Sequence, residues 1–169
     1  MDSLDAEDYF DEWNSRYFEF YPQGTRGDAE FRVSRMLVWA GKSYTRRVES
    51  KVLRETGQTR ARWQVLFAIS FAEQPVTMSE LCRRVRVQWP TMVRVVEAME
   101  RDHLLRREDH PGDKRSRYIF LTPEGEQLSR RIQPVLDNER SRVLSLLSDD
   151  GLETARAVLE RIFRGAISQ

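Results

Sequence analysis

The chain has 169 residues, enough for one domain with a proper core, and its 40% hydrophobic and 33% charged residues fit a helical protein with well-solvated outer faces. A net charge of +1 argues for no partner by itself, and a single cysteine with two histidines leaves nothing from which to build a disulfide framework or a zinc site. No apolar run approaches membrane-spanning length and the N-terminus is acidic, unlike a signal peptide, so a cytoplasmic protein without a cofactor is expected.

The charge is unevenly spread. Residues 1–30 hold nine acids against two arginines, whereas residues 77–122 hold ten basic groups against seven acids. A positive module on a nearly neutral chain suits a polyanion such as DNA, where phosphate contacts supply most of the sequence-independent affinity.

In chain order, residues 1–27 form an acidic, aromatic-rich N-terminal arm. Its acids alternate with Tyr9, Phe10, Trp13, Tyr17, Phe18, Phe20 and Tyr21, and Pro22, Gly24 and Gly27 end it. Disordered segments are poor in aromatics, so the plainer reading is a helix that adds buried area. The functional reading is an arm that packs on a dimer or covers a pocket. From Asp28 a long helix runs to about Glu55, with Phe31, Met36, Leu37, Val38, Ala40, Tyr44, Val48 and Val52 as its apolar side and Gly57 as its stop. The next helix covers 59–73, turns Trp63, Leu66, Phe67 and Ile69 inward, and closes at Gln74-Pro75.

Residues 77–122 carry the functional signal. T-M-S-E-L-C-R-R-V (77–85) reads as a short amphipathic helix in which Thr77 and Glu80 make a capping box and Met78, Leu81, Cys82 and Val85 share one face. The lone Cys82 on that face reads as a small hydrophobe, not a redox sensor. After the link Arg86-Val87-Gln88 comes a second helix from Trp89 to about His103, with Pro90 in its first turn and Met92, Val95, Val96 and Met99 as its buried stripe. Thr91 and Arg94 lie off that stripe, and Gln88 and Trp89 stand at the helix mouth. Two helices joined by a tight turn, the second polar along its outer N-terminal half, make a helix-turn-helix. Strand-like runs at 104–108 and 117–122 flank Pro111-Gly112, with Lys114, Arg115 and Arg117 near the tip, and this basic hairpin reads as a wing. A further helix begins at Pro123 after the cap Thr122 and contains Pro134, which predicts a kink or break; it runs through Leu128, Ile132, Val135, Leu136, Val143, Leu146 and Leu147. Ser148-Asp149-Asp150 caps a last helix carrying Leu152, Ala155, Val158, Leu159, Ile162 and Phe163.

Three stretches resemble the MarR (multiple antibiotic resistance regulator) family of winged-helix transcription regulators, in its SlyA-like branch: R-A-R-W-Q-V-L (60–66), Q-W-P-T-M-V-R-V-V-E-A-M-E-R-D-H-L-L (88–105) and D-K-R-S-R-Y-I-F-L-T-P-E-G (113–125). One departure is His103, where the family has Gly; His at a left-handed helix end costs more than Gly, so a different turn into the wing is expected. The resemblance implies a mainly α fold with a small β wing. It places the winged helix-turn-helix at 59–122 and dimerisation helices at 28–55 and 123–167, within a MarR-type domain of 28–169. It also implies a homodimer on a pseudo-palindromic double-stranded DNA operator, which agrees with terminal helices carrying more apolar face than one core needs.

For single residues the resemblance implies the following. Arg115 enters the minor groove and Asp113 orients it, with Lys114 and Arg117 beside them, against the bland reading of a solvated surface pair. Gln88 and Thr91 face adenine, a thymine methyl or phosphate. Arg94 has three open readings: phosphate, base, or a partner for Asp113. Trp89 either meets sugar or a thymine methyl or folds back as a staple. Met92 is taken with this DNA-facing set as well as with the buried stripe. Trp39, Ser43, Arg46, Arg47, Trp63 and Phe67 come from the two helices bordering the family's ligand crevice, where aromatic walls and a cation suit a small aromatic carboxylate; ordinary core is the alternative. The function expected is a transcription repressor released by such a ligand. Against it stand a winged-helix protein-interaction module without DNA binding, and an enzyme, for which no nucleophile–base set, metal cluster or phosphate loop stands out.

Overall fold

The computed structural model describes residues 16–73, 75–113 and 116–168. What the sequence leads one to expect of residues 1–15, of Gln74 and of Lys114 and Arg115 therefore lies outside the described residues. The chain divides after Thr45 into two units.

In the first unit a one-turn helix α1 (Tyr17–Phe20) precedes the start of a 31-residue helix α2 (Arg26–Thr56). The helix begins two residues before the expected Asp28, because Thr25 is its cap: the Thr25 hydroxyl accepts the Asp28 N–H at 3.3 Å. Asp28 sits one turn in and gathers three donors. The Tyr17 hydroxyl reaches it at 2.6 Å, the Gly24 N–H at 3.0 Å and Arg32 Nε at 2.7 Å. These hydrogen bonds, Tyr17's first, hold its carboxyl down at about 2. Tyr17, Tyr21 and Phe31 stack within about 5 Å of one another, so the aromatics at 17–21 fasten this unit to itself.

The second unit holds the end of α2, then α3 (Arg60–Ser70), β1 (Val76–Thr77), α4 (Met78–Val85), α5 (Trp89–Arg101), β2 (Leu105–Asp109), β3 (Arg117–Leu121), α6 (Pro123–Leu144) and α7 (Asp149–Ile167). The three strands form one antiparallel sheet in the order β1-β3-β2, with Val76 opposite Ile119 and Leu105 opposite Leu121. Strand β1 was not expected; two residues are too short for any periodicity to show. Its pairing anchors the root of the β2–β3 hairpin to the start of α4.

Leu66, Leu81, Met92, Val96, Met99, Ile119 and Ile132 are fully buried, so one core joins α3, α4, α5, the sheet and α6. Each such side chain contributes about 1.5–3 kcal/mol by leaving water. Helix α3 is shorter than expected, and α6 runs unbroken through Pro134. Pro134 faces outward, as does Arg130 four residues before it, whose carbonyl loses its helix donor. An exposed carbonyl can turn to water, so the helix need not break there. Leu146 and Leu147, expected inside that helix, lie in the turn beyond it.

Candidate nucleic-acid interface

The capping box at the start of α4 is complete. The Thr77 hydroxyl accepts the Glu80 N–H at 3.4 Å, and the Glu80 carboxylate accepts the Thr77 N–H at 2.8 Å. That backbone hydrogen bond is the main reason the Glu80 carboxyl titrates below its ordinary range. At its other end α4 stops on Arg86, which takes a left-handed conformation (φ 58°) and leaves the two-residue link into α5. The Arg86 guanidinium lies over the Phe163 ring at 4.6 Å. Sequence reasoning treated Arg86 as plain linker; nothing at residue 86 itself signals a stack on a side chain 77 positions away.

Helix α5 sorts its residues by face. Met92, Val96 and Met99 are fully buried and hold the helix against the core. Met92 is therefore corrected from the DNA-facing set: with no surface exposed, it positions the helix and does not meet a partner. Gln88, Trp89, Thr91 and Arg94 are all exposed. Gln88 is the cap position, yet its side chain makes no capping bond. Among the described residues, none of these four side chains has a hydrogen bond or ion pair within the chain.

The far end of α5 is tied down instead. The Leu104 N–H donates to the Met99 carbonyl and the His103 N–H to the Glu100 carbonyl, both at 2.9 Å, with His103 left-handed at φ 57°. This is a Schellman ending. The expectation that His103 would alter the turn is corrected: the turn has the geometry glycine favours, and histidine bears its strain. Arg62 reaches Asp102 at 2.6 Å and Arg107 reaches Glu100 at 2.8 Å, so α3 and β2 both clamp α5's C-terminal turn.

The β2–β3 hairpin is the wing. In its tip the Ser116 hydroxyl donates to Asp113 at 2.8 Å, the Gly112 N–H donates to the His110 ring at 3.1 Å, and that ring packs on Tyr118 at 4.4 Å. Arg117 is exposed and lies 3.4 Å from Asp109. A groove of about 220 Å³ runs between the start of α4, the outer side of α5 and the wing; Ser79, Trp89, Val93, Arg107, Ser116 and Arg117 are among its walls.

The expected ligand residues divide between the two units. Trp39 and Ser43 belong to the first unit, where Trp39 carries the Arg35 guanidinium 4.1 Å above its ring. Arg46, Arg47, Trp63 and Phe67 belong to the second. There Arg47 is committed to the buried Glu139 at 2.6 Å, and Trp63 meets Phe67 edge-on at 6.4 Å. Arg46 stands exposed. Of these residues Phe67 alone lines the larger cleft of about 600 Å³, whose walls include Phe71, Arg106, Phe120, Arg130 and Gln133.

No helix among the described residues is long and apolar enough to cross a membrane. Residues 56–116 match the MarR family model. The fold is similar to that of AbsC, a MarR family transcriptional regulator from Streptomyces coelicolor (TM-score 0.76, 24% identity, covering 84% of this chain and 97% of that one). It is similar to Sco3205, a MarR family transcriptional regulator of the same organism solved in complex with DNA (0.75, 22%, 81% and 87%). It is also similar to MepR of S. aureus, again solved with DNA (0.71, 20%, 78% and 96%). AbsC and Sco3205 are described as transcriptional regulators. With residues 56–116, from the end of α2 to the wing, matched by the MarR family model and the fold shared over most of its length, the chain has a winged helix-turn-helix fold similar to that of MarR-family regulators.

Proposed function

We propose that the chain is a sequence-specific, double-stranded-DNA-binding transcription regulator of the SlyA-like kind, acting in the cytoplasm as a homodimer on a pseudo-palindromic operator. The observation that carries this reading is the face of α5. Its inner stripe is fully buried, while Gln88, Trp89, Thr91 and Arg94 stand outward without partners among the described residues, next to a hairpin bearing Arg117 and, in sequence, Lys114 and Arg115. A helix of this kind fits the major groove and a basic wing fits phosphate or the minor groove. The DNA complexes of Sco3205 and MepR, which share the fold, support it.

The dimer is supported by α7, which buries none of its side chains and leaves Leu152, Val158, Leu159, Phe163 and Ile167 exposed. An apolar face of this extent calls for a partner surface, and a second copy would set two reading heads one helical turn of DNA apart. The outcome proposed is repression, relieved by a small aromatic carboxylate that prefers a head spacing unfit for DNA. The cleft with Phe67, Phe71 and Phe120 beside Arg106 supports that ligand chemistry.

Fluorescence anisotropy with duplexes from upstream of the chain's own gene tests the proposal. Tight binding to one duplex that weakens steeply with salt is expected. Binding indifferent to sequence, or absent at low salt, removes it and leaves the protein-interaction reading. Light scattering of the free protein checks the dimer.

A further inference from the structure

Trp89 is the least explained side chain of the interface. It opens α5, and its residue is 51% exposed. It makes no ring contact and no hydrogen bond among the described residues. Pro90 follows it in the first turn of the helix. It stands on the rim of the groove between α4, α5 and the wing, the concavity a duplex would cover. A staple would leave the ring covered by its apolar neighbours, whereas half of the Trp89 surface stays open to a partner.

We infer that Trp89 is a specificity-determining residue that lays its indole face on a thymine C5-methyl of each half-site. The inference rests on the DNA-binding reading above. The N-terminal residues of a recognition helix are the ones that meet base edges. An indole has a single donor and no acceptor, so it reads hydrogen-bond patterns poorly. Its large apolar face matches the only apolar group on the major-groove floor, the thymine methyl. Gln88 and Thr91 flank it with the polar groups that a hydrogen-bonding readout needs, leaving Trp89 to select by shape and methyl contact.

The test uses the full-length protein and its best-bound duplex, with thymines replaced one at a time by deoxyuridine, which lacks only the methyl. Affinities are measured for the wild type, Trp89→Ala and Trp89→Phe. Losing one buried methyl costs about fourfold in affinity, so about fifteenfold is expected when both half-sites are changed. That loss should appear at one thymine per half-site in the wild type, persist in Trp89→Phe and vanish in Trp89→Ala. The salt dependence of Trp89→Ala should match that of the wild type, because no phosphate contact is removed. If wild type and Trp89→Ala respond alike to every deoxyuridine, or the salt slope of Trp89→Ala falls by about one phosphate, the inference is overturned while DNA binding stands. A wild type that prefers no duplex overturns both.

Discussion

A Cβ added to Gly125 would stand 2.2 Å from the carbonyl oxygen of Leu104. No side chain fits there, because the first turn of α6 rests directly on the backbone that leaves α5. The same oxygen accepts the Thr122 N–H at 3.2 Å, and the Thr122 hydroxyl donates to the His103 carbonyl at 2.6 Å. Thr122 also caps α6, accepting the Gly125 N–H at 3.1 Å. The exit of α5 and the entry of α6 are thus one hydrogen-bonded joint, and glycine permits its closeness.

Gly125→Ala should therefore destabilise the protein. Clashes of this kind against backbone cost about 3 kcal/mol, which for a chain of this size lowers Tm by roughly 6–12 °C. Thermal unfolding followed by circular dichroism checks it. A Tm within a degree or two of wild type would mean the joint yields freely, and the tight coupling of α5 to α6 would be wrong.

His103 sits in the same joint and should respond in the opposite direction. Its left-handed backbone costs a non-glycine residue about 1 kcal/mol, and the Schellman hydrogen bonds around it do not involve the imidazole. His103→Gly should raise Tm by about 2–4 °C, with part of the gain offset by glycine's larger unfolded-state entropy. Lower stability would show that the ring contributes a contact outweighing the strain.

How much of this was legible in the sequence depends on the range of the interaction. The Thr77–Glu80 box, the Thr122 and Ser148 caps and the buried stripe of α5 are set by residues three or four apart, and all were readable from spacing. Strand β1 was not, because its pairing partners Ile119 and Tyr118 lie some forty residues away and two residues carry no pattern. Met92 satisfied both the buried stripe and the outward set by position, and only packing decided between them. Arg47 read as a free cation because its partner Glu139 is 92 residues distant. Pro134 was read from propensity alone, and its exposure is what spares the helix.

Asp28 supplies a prediction in pH. Its folded carboxyl lies near 2, below the unfolded value of about 3.9. A depressed carboxylate contributes stability above the unfolded value, and the contribution is lost as pH falls from about 4 through 2. The Gly24 amide proton, which donates to Asp28, should report this in an NMR titration with a midpoint near 2. A midpoint near 4 would mean that Tyr17, Gly24 and Arg32 do not hold the charge in solution. Asp28→Asn should erase the transition.

The arginines of the interface can be sorted by salt. Arg94 is exposed on the outer side of α5 and makes no ion pair within the described residues, so its charge is available to a duplex. If it touches phosphate, Arg94→Ala should weaken all duplexes about equally and reduce the salt slope by about one. If it reads a base, the variant should lose about 1–3 kcal/mol against the preferred duplex and relax discrimination at one position. If it acts by fixing Asp113, Asp113→Ala should reproduce its effect and the double variant should add nothing. The first outcome is expected, because Arg94 stands nearly one turn beyond Thr91 and nearly two beyond Gln88, where a helix entering the groove passes back toward the sugar-phosphate edge. Arg115→Ala measured beside it should weaken binding through the wing, and affinity unchanged in both variants would remove the basic face from the account of binding altogether.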